Sequence, residues 1–330
     1  LALVDAAKPA LKFHVLAPSL PAPPGVPSST SKADSHNNKD EGESSMRLVL
    51  RKARPEDAAI LGEICYRAFS ALASAHGFVP DIPHAAAAVG MMTGLIGHEG
   101  FFNVVAELDG TVVGSNFLDE RGPICGVGPI TVDPDLQNDG AGRALMRAAL
   151  ERARERNVAG LRLVQAGYHS RSLALYLKLG FNAREQLACL KGPLIGKSLP
   201  GYLVRAATPK DLAVCNELCL AVHGHTRSGE VAEAVAAGTA RVVERLGRLS
   251  GYATVLGFSG HAVGESNDDL KALLSAAETF QGAGVLVPTR NSELLRWCLQ
   301  ERLQITQTMT LMTIGLYNQP NGAWLPSILY

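Results

Sequence analysis

The run Val132-Asp133-Pro134-Asp135-Leu136-Gln137-Asn138-Asp139-Gly140-Ala141-Gly142-Arg143 has the make-up of an anion cradle. It leads from a strand-like segment into a helix-like one, in which Leu145, Met146, Ala149, Leu150 and Ala153 recur at spacings of three and four. The glycines therefore fall at a helix N-terminus. There the first amides lack an intrahelical acceptor and the dipole is positive, which suits phosphate oxygens. Glycine permits close backbone approach, and Arg143 adds a charge suited to a pyrophosphate. Three loop types compete. A dinucleotide fingerprint fails because Leu145 stands where G-x-G-x-x-G needs its last Gly, and a Walker loop fails for want of a G-K-[ST] ending. An ordinary strand-to-helix turn stays open.

A second run, Ser172-Leu173-Ala174-Leu175-Tyr176-Leu177-Lys178-Leu179-Gly180-Phe181, follows after one further helix and strand. Gln137, Gly140 and Gly142 match Q/R-x-x-G-x-G/A, and the second run matches A-x-x-x-Y-x-x-x-G-F with Ser172 in place of the Ala. With both signatures in order, the chain from about Leu48 to Lys191 resembles the GNAT superfamily of N-acetyltransferases. That resemblance implies an acetyl-CoA cosubstrate, no metal, and transfer of an acetyl or short acyl group to an amine by direct attack in a ternary complex. It implies that Gly126–Val132 and Leu161–Gln165 splay apart around the pantetheine arm. The cofactor residues it implies are Ile130, Thr131, Val132, Gln137, Asn138, Asp139, Gly140, Ala141, Gly142, Arg143 and Ser172. The peptide groups of Ile130 to Val132 would face the thioester carbonyl, and Tyr176 would protonate the leaving thiolate. The plain alternative for Tyr176 is a half-buried core aromatic.

The chain departs from that pattern in two places. His169 stands where many members carry Asn, and Gly126-Val127-Gly128-Pro129 lacks the glutamate many place before the loop. Asp119 and Glu120 are the nearest acids in sequence, suited to take a proton through water or to attract a cationic amine; otherwise they are solvated loop carboxylates. Cys125 as a covalent acyl carrier lacks an evident partner base.

The elements that position these residues begin with Phe102–Leu108 and Thr111–Phe117, strands joined by the hairpin signal Asp109-Gly110. Gly126–Val132, Leu161–Gln165 and Phe181–Lys191 read as strands, with a helix before Leu161 and another over Ser170–Leu179. The result is a mixed α/β (α+β) sheet. Arg51, Ala53, Pro55, Asp57, Ala59, Glu63 and Cys65 recur as Arg205, Ala207, Pro209, Asp211, Ala213, Glu217 and Cys219, an offset of 154 that signals a domain-sized duplication. In the second copy Gly251–Phe258 and Gly284–Val287 read as strands, Asp268–Thr279 and Asn291–Gln300 as helices. Aligning Asn291 with His169 puts Cys298 where Tyr176 stands and Arg302-Leu303 where Gly180-Phe181 stand. Ser259–Glu265 lacks the glycine signature, so this copy reads as degenerate, supporting the first or shaping the acceptor pocket. Its loop residue His261 lines that pocket or is solvated. His76 to His84 reads as the pocket wall.

The expected architecture is two tandem GNAT-like domains, 46–192 catalytic and 200–317 degenerate, each a mixed, mainly antiparallel sheet with a splayed central parallel strand pair flanked by helices. Residues 318–330 form a C-terminal extension. Residues 1–45 form a disordered Pro/Ser-rich tail, with Met46 as the natural start or the tail dispensable. The chain's 330 residues suit two domains, and 47% hydrophobic content with mean hydropathy +0.09 suits real cores. No run nears the roughly 20 apolar residues of a membrane span. Lys+Arg 31 balances Asp+Glu 31, which argues against nucleic acid and for a small-molecule or peptide amine acceptor. With no secretory signal, the expectation is a cytoplasmic monomer or homodimer. The six cysteines form no C-x-x-C pair and read as buried free thiols, and His223 and His225, two apart, fall short of a metal set. O-acetylation of a hydroxyl and a CoA-binding sensor or scaffold without turnover remain as alternatives.

Overall fold

The computed structural model describes residues 47–137 and 140–329; the expected tail, Met46, Asn138 and Asp139 lie outside them. The described chain starts with β1 (Leu48–Arg51), which passes through one 3-10 turn at Pro55–Asp57 into α1 (Ala58–Ala75). Asp57 fixes that turn. Its carboxylate accepts from the Arg54 amide at 2.7 Å and from both Arg51 Nη atoms at 2.7 and 2.9 Å, while Arg51 Nε reaches Glu107 at 2.7 Å. Next, α2 (Ala85–Gly97) lies so close to α1 that a Cβ on Gly62 would sit 2.6 Å from Val89 Cα. In the hairpin of β2 (Phe101–Leu108) and β3 (Thr111–Asp119), Asp109 and Gly110 have φ of 50° and 81°. Two left-handed residues make the turn that matches the twist of paired strands.

The single strand expected over Gly126–Val132 is broken in two, β4 (Ile124–Val127) and β5 (Thr131–Val132). Gly128 at φ 135° and Pro129, which has no N–H, interrupt the ladder, and both pieces pair with β3. The first half ends with α3 (Ala141–Glu155), β6 (Gly160–Ala166), α4 (Ser170–Lys178) and β7 (Asn182–Lys191).

The second half opens in the same way, with β8 (Tyr202–Ala206), a 3-10 turn and α5 (Leu212–His223). Arg205 holds Asp211 at 2.8 and 2.9 Å and Glu244 at 2.8 Å, atom for atom the Arg51–Asp57–Glu107 clasp. Then come α6 (Ser228–Ala236), β9 (Arg241–Arg245) and β10 (Arg248–Ala253), the last starting and ending earlier than the expected Gly251–Phe258. They are followed by β11 (Ala262–Gly264), α7 (Asn267–Ser275), β12 (Val285–Pro288), α8 (Ser292–Gln300), β13 (Gln304–Gly315) and β14 (Ala323–Leu325).

The two halves do not keep their strands to themselves, which corrects the expectation of one sheet for each. The larger sheet runs β1-β2-β3-β4-β6-β13-β7-β12, with β5 beside β3; the smaller runs β14-β11-β10-β9-β8. Thus β13, from the second half, lies antiparallel between β6 and β7, and β12 closes the far edge of β7. Each half sends its last long strand across a shared seam. The described part of the expected extension, 318–329, packs on the fold: β14 pairs with β11, Trp324 is buried, and the Leu329 carbonyl would lie 2.5 Å from a Cβ on Gly126. Against the sheet, α3 and α4 cover one face through Met146, Ala149, Leu150 and Tyr176, while α1 and α2 cover the other through Leu61, Cys65, Ala88 and Met92. Among the described residues no helix is long and apolar enough to cross a membrane.

Candidate active site

Strands β4 and β6 are parallel and pair from Ile124↔Gly160 to Gly126↔Arg162, and no further. Beyond that point β6 continues to Ala166 with only β13 beside it, while the β4 chain turns away at Gly128. The wedge so formed lies at the carboxyl ends of two parallel strands, where open α/β sheets bind ligands.

The N-terminus of α3 stands at this wedge. Gly140 is its cap residue, left-handed at φ 83°, with no side-chain cap and no acid in the first turn. A side chain at that φ would be strained. Gly142 faces Val132 with ordinary space for a Cβ (3.6 Å), and Arg143 is exposed on the first turn. Two acids of the loop, Asp133 and Asp135, both pair with Arg67 of α1. Gln137 accepts from Arg171 at 2.8 Å, tying the glycine loop to the start of α4. Ser172 Oγ donates to Gln165 Oε1 at 2.8 Å. Ile130 and Val132 are half-buried beside the loop, Ala141 is buried, and the buried Thr131 hydroxyl has no hydrogen-bond partner among the described residues. Asn138 and Asp139 lie outside the described residues.

Tyr176 packs beneath the wedge with Cys125, Val127, Met146 and, at its rim, Ile130; the Phe181 ring meets it edge-on at 6.0 Å. Burial pushes its phenol up to about 12, so it holds its proton at neutral pH. Burial also pushes the Cys125 thiol up to about 12, which leaves a protonated sulfur unsuited to carry an acyl group. All six cysteines are buried and free, as expected from the sequence.

The two acids expected near the site have arginine partners instead of open water. Asp119 is gripped by Arg121 through Nε at 2.8 Å and Nη2 at 2.5 Å, and Arg121 continues to Glu233 of α6. Glu120 points to the opposite face, where Arg152 holds it at 2.8 and 3.1 Å and Arg156 lies at 3.3 Å. Both carboxylates are thus held in arginine ion pairs. The acid that sequence reasoning missed is Asp81, within the 76–84 wall. Gln307 of β13 donates to its carboxylate across 226 positions of sequence, a contact no local pattern announces. Burial raises the Asp81 carboxyl, against the pull of the Gln307 amide.

In the second half the corresponding place, at the start of α7 and the end of β12, is a hollow of about 320 Å³ lined by Ser266, Asn267, Pro288, Asn291 and Trp324, with β14 beside β11. Cys298 is buried at the Tyr176 place: Leu303 N bonds Cys298 O at 3.0 Å as Phe181 N bonds Tyr176 O at 3.0 Å. Arg302 at φ 68° takes the left-handed turn that Gly180 makes at 95°. His261 is neither solvated nor on a pocket wall. It is 1% exposed, with Nδ1 2.9 Å from Glu230 and Nε2 2.9 Å from the Tyr252 hydroxyl. Burial works against ionising Glu230, but Arg227 and His261 carry its carboxyl well below the usual range.

Residues 66–181 match the model of the Acetyltransferase (GNAT) family. The [ribosomal protein bS18]-alanine N-acetyltransferase of Escherichia coli K12 is 43% identical over 53 residues, 16% of this chain and 36% of that protein, so the match spans about a third of its length. Two solved structures share the fold over most of both chains. One, described as a candidate acetyltransferase of Pyrococcus horikoshii, has a TM-score of 0.65 at 17% identity, covering 88% of this chain and 98% of that one. The other, a GCN5-related N-acetyltransferase of Sphaerobacter thermophilus, has a TM-score of 0.56 at 17% identity, covering 82% and 96%. The family model thus matches about a third of the chain, and the two structures share its fold.

Proposed function

We propose, from the family that residues 66–181 match, that the chain moves an acetyl or short acyl group from acetyl-CoA to a primary amine in the β4–β6 wedge. The observation that carries this reading is the N-terminus of α3, with a glycine cap and no acid in its first turn, beside a parallel pair that parts after Gly126. Amides from Ala141 onward, with Arg143 and Gln137, would hold the pyrophosphate. The pantetheine arm would run between β4 and β6, past Ile130, Thr131 and Val132 on one side and Ser172 on the other. As the amine attacks, the C–N bond forms and the C–S bond breaks; Tyr176 gives its proton to the departing thiolate and is reprotonated, through water, by the proton the acylated nitrogen releases. Its protonated, buried state suits that role. Asp119 and Glu120 serve here as ion-pair anchors. The second half reads as a tandem copy without a working site; the repeated arginine clasp and the Cys298 register support that.

The test is calorimetry with acetyl-CoA followed by release of free CoA with primary amines. Binding of one equivalent and amine-dependent CoA release are expected. Absence of binding by a folded protein would overturn the reading. Release with alcohols and not with amines would move it to O-acetylation.

A further inference from the structure

A half-buried carboxylate with no counter-cation sits beside the open end of the wedge. Asp81 lies in the loop between α1 and α2, and Gln307 is its hydrogen-bond partner among the described residues. No Lys, Arg or His described here comes within ion-pair distance of it, whereas Asp119, Glu120 and Glu230 each have arginines. The next residue of β13, Thr308, accepts from the Gly167 amide at 2.8 Å, which brings the β6–α4 loop alongside. That loop carries Tyr168, whose ring stacks on Phe78 with centroids 4.3 Å apart and planes 11° from parallel. His76 leans on the same tyrosine at 5.0 Å. An anion and a wall of flat rings are thus assembled from three separate stretches of chain, on the side of the sheet that carries α1 and α2. Tyr176, packed with α3, belongs to the other side.

A half-buried carboxylate without a cation is costly, and a cationic ligand supplies the missing charge. Aromatic faces attract the same cation and also cover an apolar or aromatic body attached to it. We infer that Asp81, Phe78 and Tyr168 form the acceptor subsite, and that it selects a cationic primary amine carried on an aromatic group. The ammonium goes to Asp81 and the ring to the Phe78–Tyr168 wall, and the amine gives up one proton to water before its lone pair attacks. This rests on the acyl-CoA reading for its place in the reaction, but its recognition chemistry is measurable separately.

The experiment is calorimetric titration of the full chain, with and without CoA, using 2-phenylethylamine, propylamine and 2-phenylethanol. The first should bind at least about tenfold tighter than either of the others, which lack the ring or the charge. Asp81→Asn keeps an acceptor for Gln307 and should erase the advantage of amine over alcohol while the ring still counts. Phe78→Ala should do the reverse, and both should leave the Kd for CoA within about twofold. Equal binding of 2-phenylethylamine and 2-phenylethanol, or a preference that Asp81→Asn leaves intact, overturns the subsite even if CoA binds normally. If CoA does not bind, the acyl-CoA reading and the acceptor role fall together, and the amine preference is still decided by the titrations without CoA.

Discussion

Helices α3 and α7 follow corresponding strands in the two halves, and their N-termini are finished in opposite ways. The cap of α3 is Gly140, without a side chain, and its third residue is the exposed Arg143. The cap of α7 is Ser266, and its third residue is Asp269, which is fully buried and accepts from Ser266 N and Oγ at 2.8 Å each and from Ser250 Oγ at 2.5 Å. One helix end has no acid in its first turn; the other carries its own. The strands beyond the caps differ in the same sense. The β4–β6 wedge opens after Gly126, whereas β14 lies along β11 in the second half and sets Trp324 opposite Val263. One repeated backbone plan is therefore finished differently in the two halves, by the cap residues and by one added strand.

The contrast is chemical and not a matter of two independent bodies, and the largest expected effect follows from that. A chain ending at Gly192 would retain every residue assigned to the phosphate loop and Tyr176, yet it would lose β13 from between β6 and β7. That leaves two long ladders unpaired in the middle of a sheet, where open edges are least tolerated. No cooperative thermal transition is expected by circular dichroism. A sharp transition near that of the full chain would show that the first half completes its sheet alone.

Tyr176 and Cys298 test the same contrast at the level of a single atom. Tyr176→Phe removes a proton donor and little else, so kcat should fall by about 10²–10⁴ where thiolate departure limits the rate, with acetyl-CoA affinity nearly intact. Cys298→Ala should leave turnover within a few-fold and cost on the order of 1 kcal/mol of stability, as small buried cavities do. The measurement is activity per folded molecule, with melting curves as control. The reverse ranking would assign the chemistry to the other half.

What the sequence disclosed and what it hid divide along the range of the interactions. Asp109-Gly110 announced its turn because the signal is two adjacent residues, and the two glycine and tyrosine signatures are equally local. The repeat of Arg51 and Asp57 at Arg205 and Asp211 was legible as a fixed offset, and it returned as an identical set of hydrogen bonds. The crossing of β13 was not legible, because an alternating strand pattern names its buried face and not its neighbour. Asp81 escaped for the same reason, since its partner Gln307 arrives with that strand. Asp119 and Glu120 looked like loop acids because their arginines, Arg121 excepted, lie on other elements. His261 looked solvated because Glu230 and Tyr252 are supplied by α6 and β10.

At the open cap, Arg143→Asp puts an acid on α3 at the place Asp269 holds on α7. It replaces an attraction for phosphate by a repulsion next to the helix end. Acetyl-CoA affinity should fall by about thirtyfold, roughly the loss of one charge-assisted contact and of the dipole's advantage. The melting temperature should hold or rise slightly, because an acid in the first turn suits an unliganded helix. Unchanged affinity by calorimetry would take the cap of α3 out of the cofactor site.

The mirror change, Asp269→Ala, should have the smallest effect on chemistry. It strips the cap of α7 and leaves the Ser266 amide, the Ser266 hydroxyl and the Ser250 hydroxyl without their acceptor. Losing a cap and exposing buried donors costs about 2 kcal/mol, equivalent to a fall of several degrees in Tm for a chain of this size. Turnover and the Kd for acetyl-CoA should stay within about twofold, since nothing at the β4–β6 wedge has changed. The stoichiometry decides more than the affinity does. Removing the acid frees the amides of α7, but β14 still fills the ground beside β11, and Trp324 remains buried there. One equivalent of acetyl-CoA should therefore bind before and after the change. A second equivalent in the variant would mean that the carboxylate of Asp269 alone keeps the second half closed, and that its strands still hold the shape of a site.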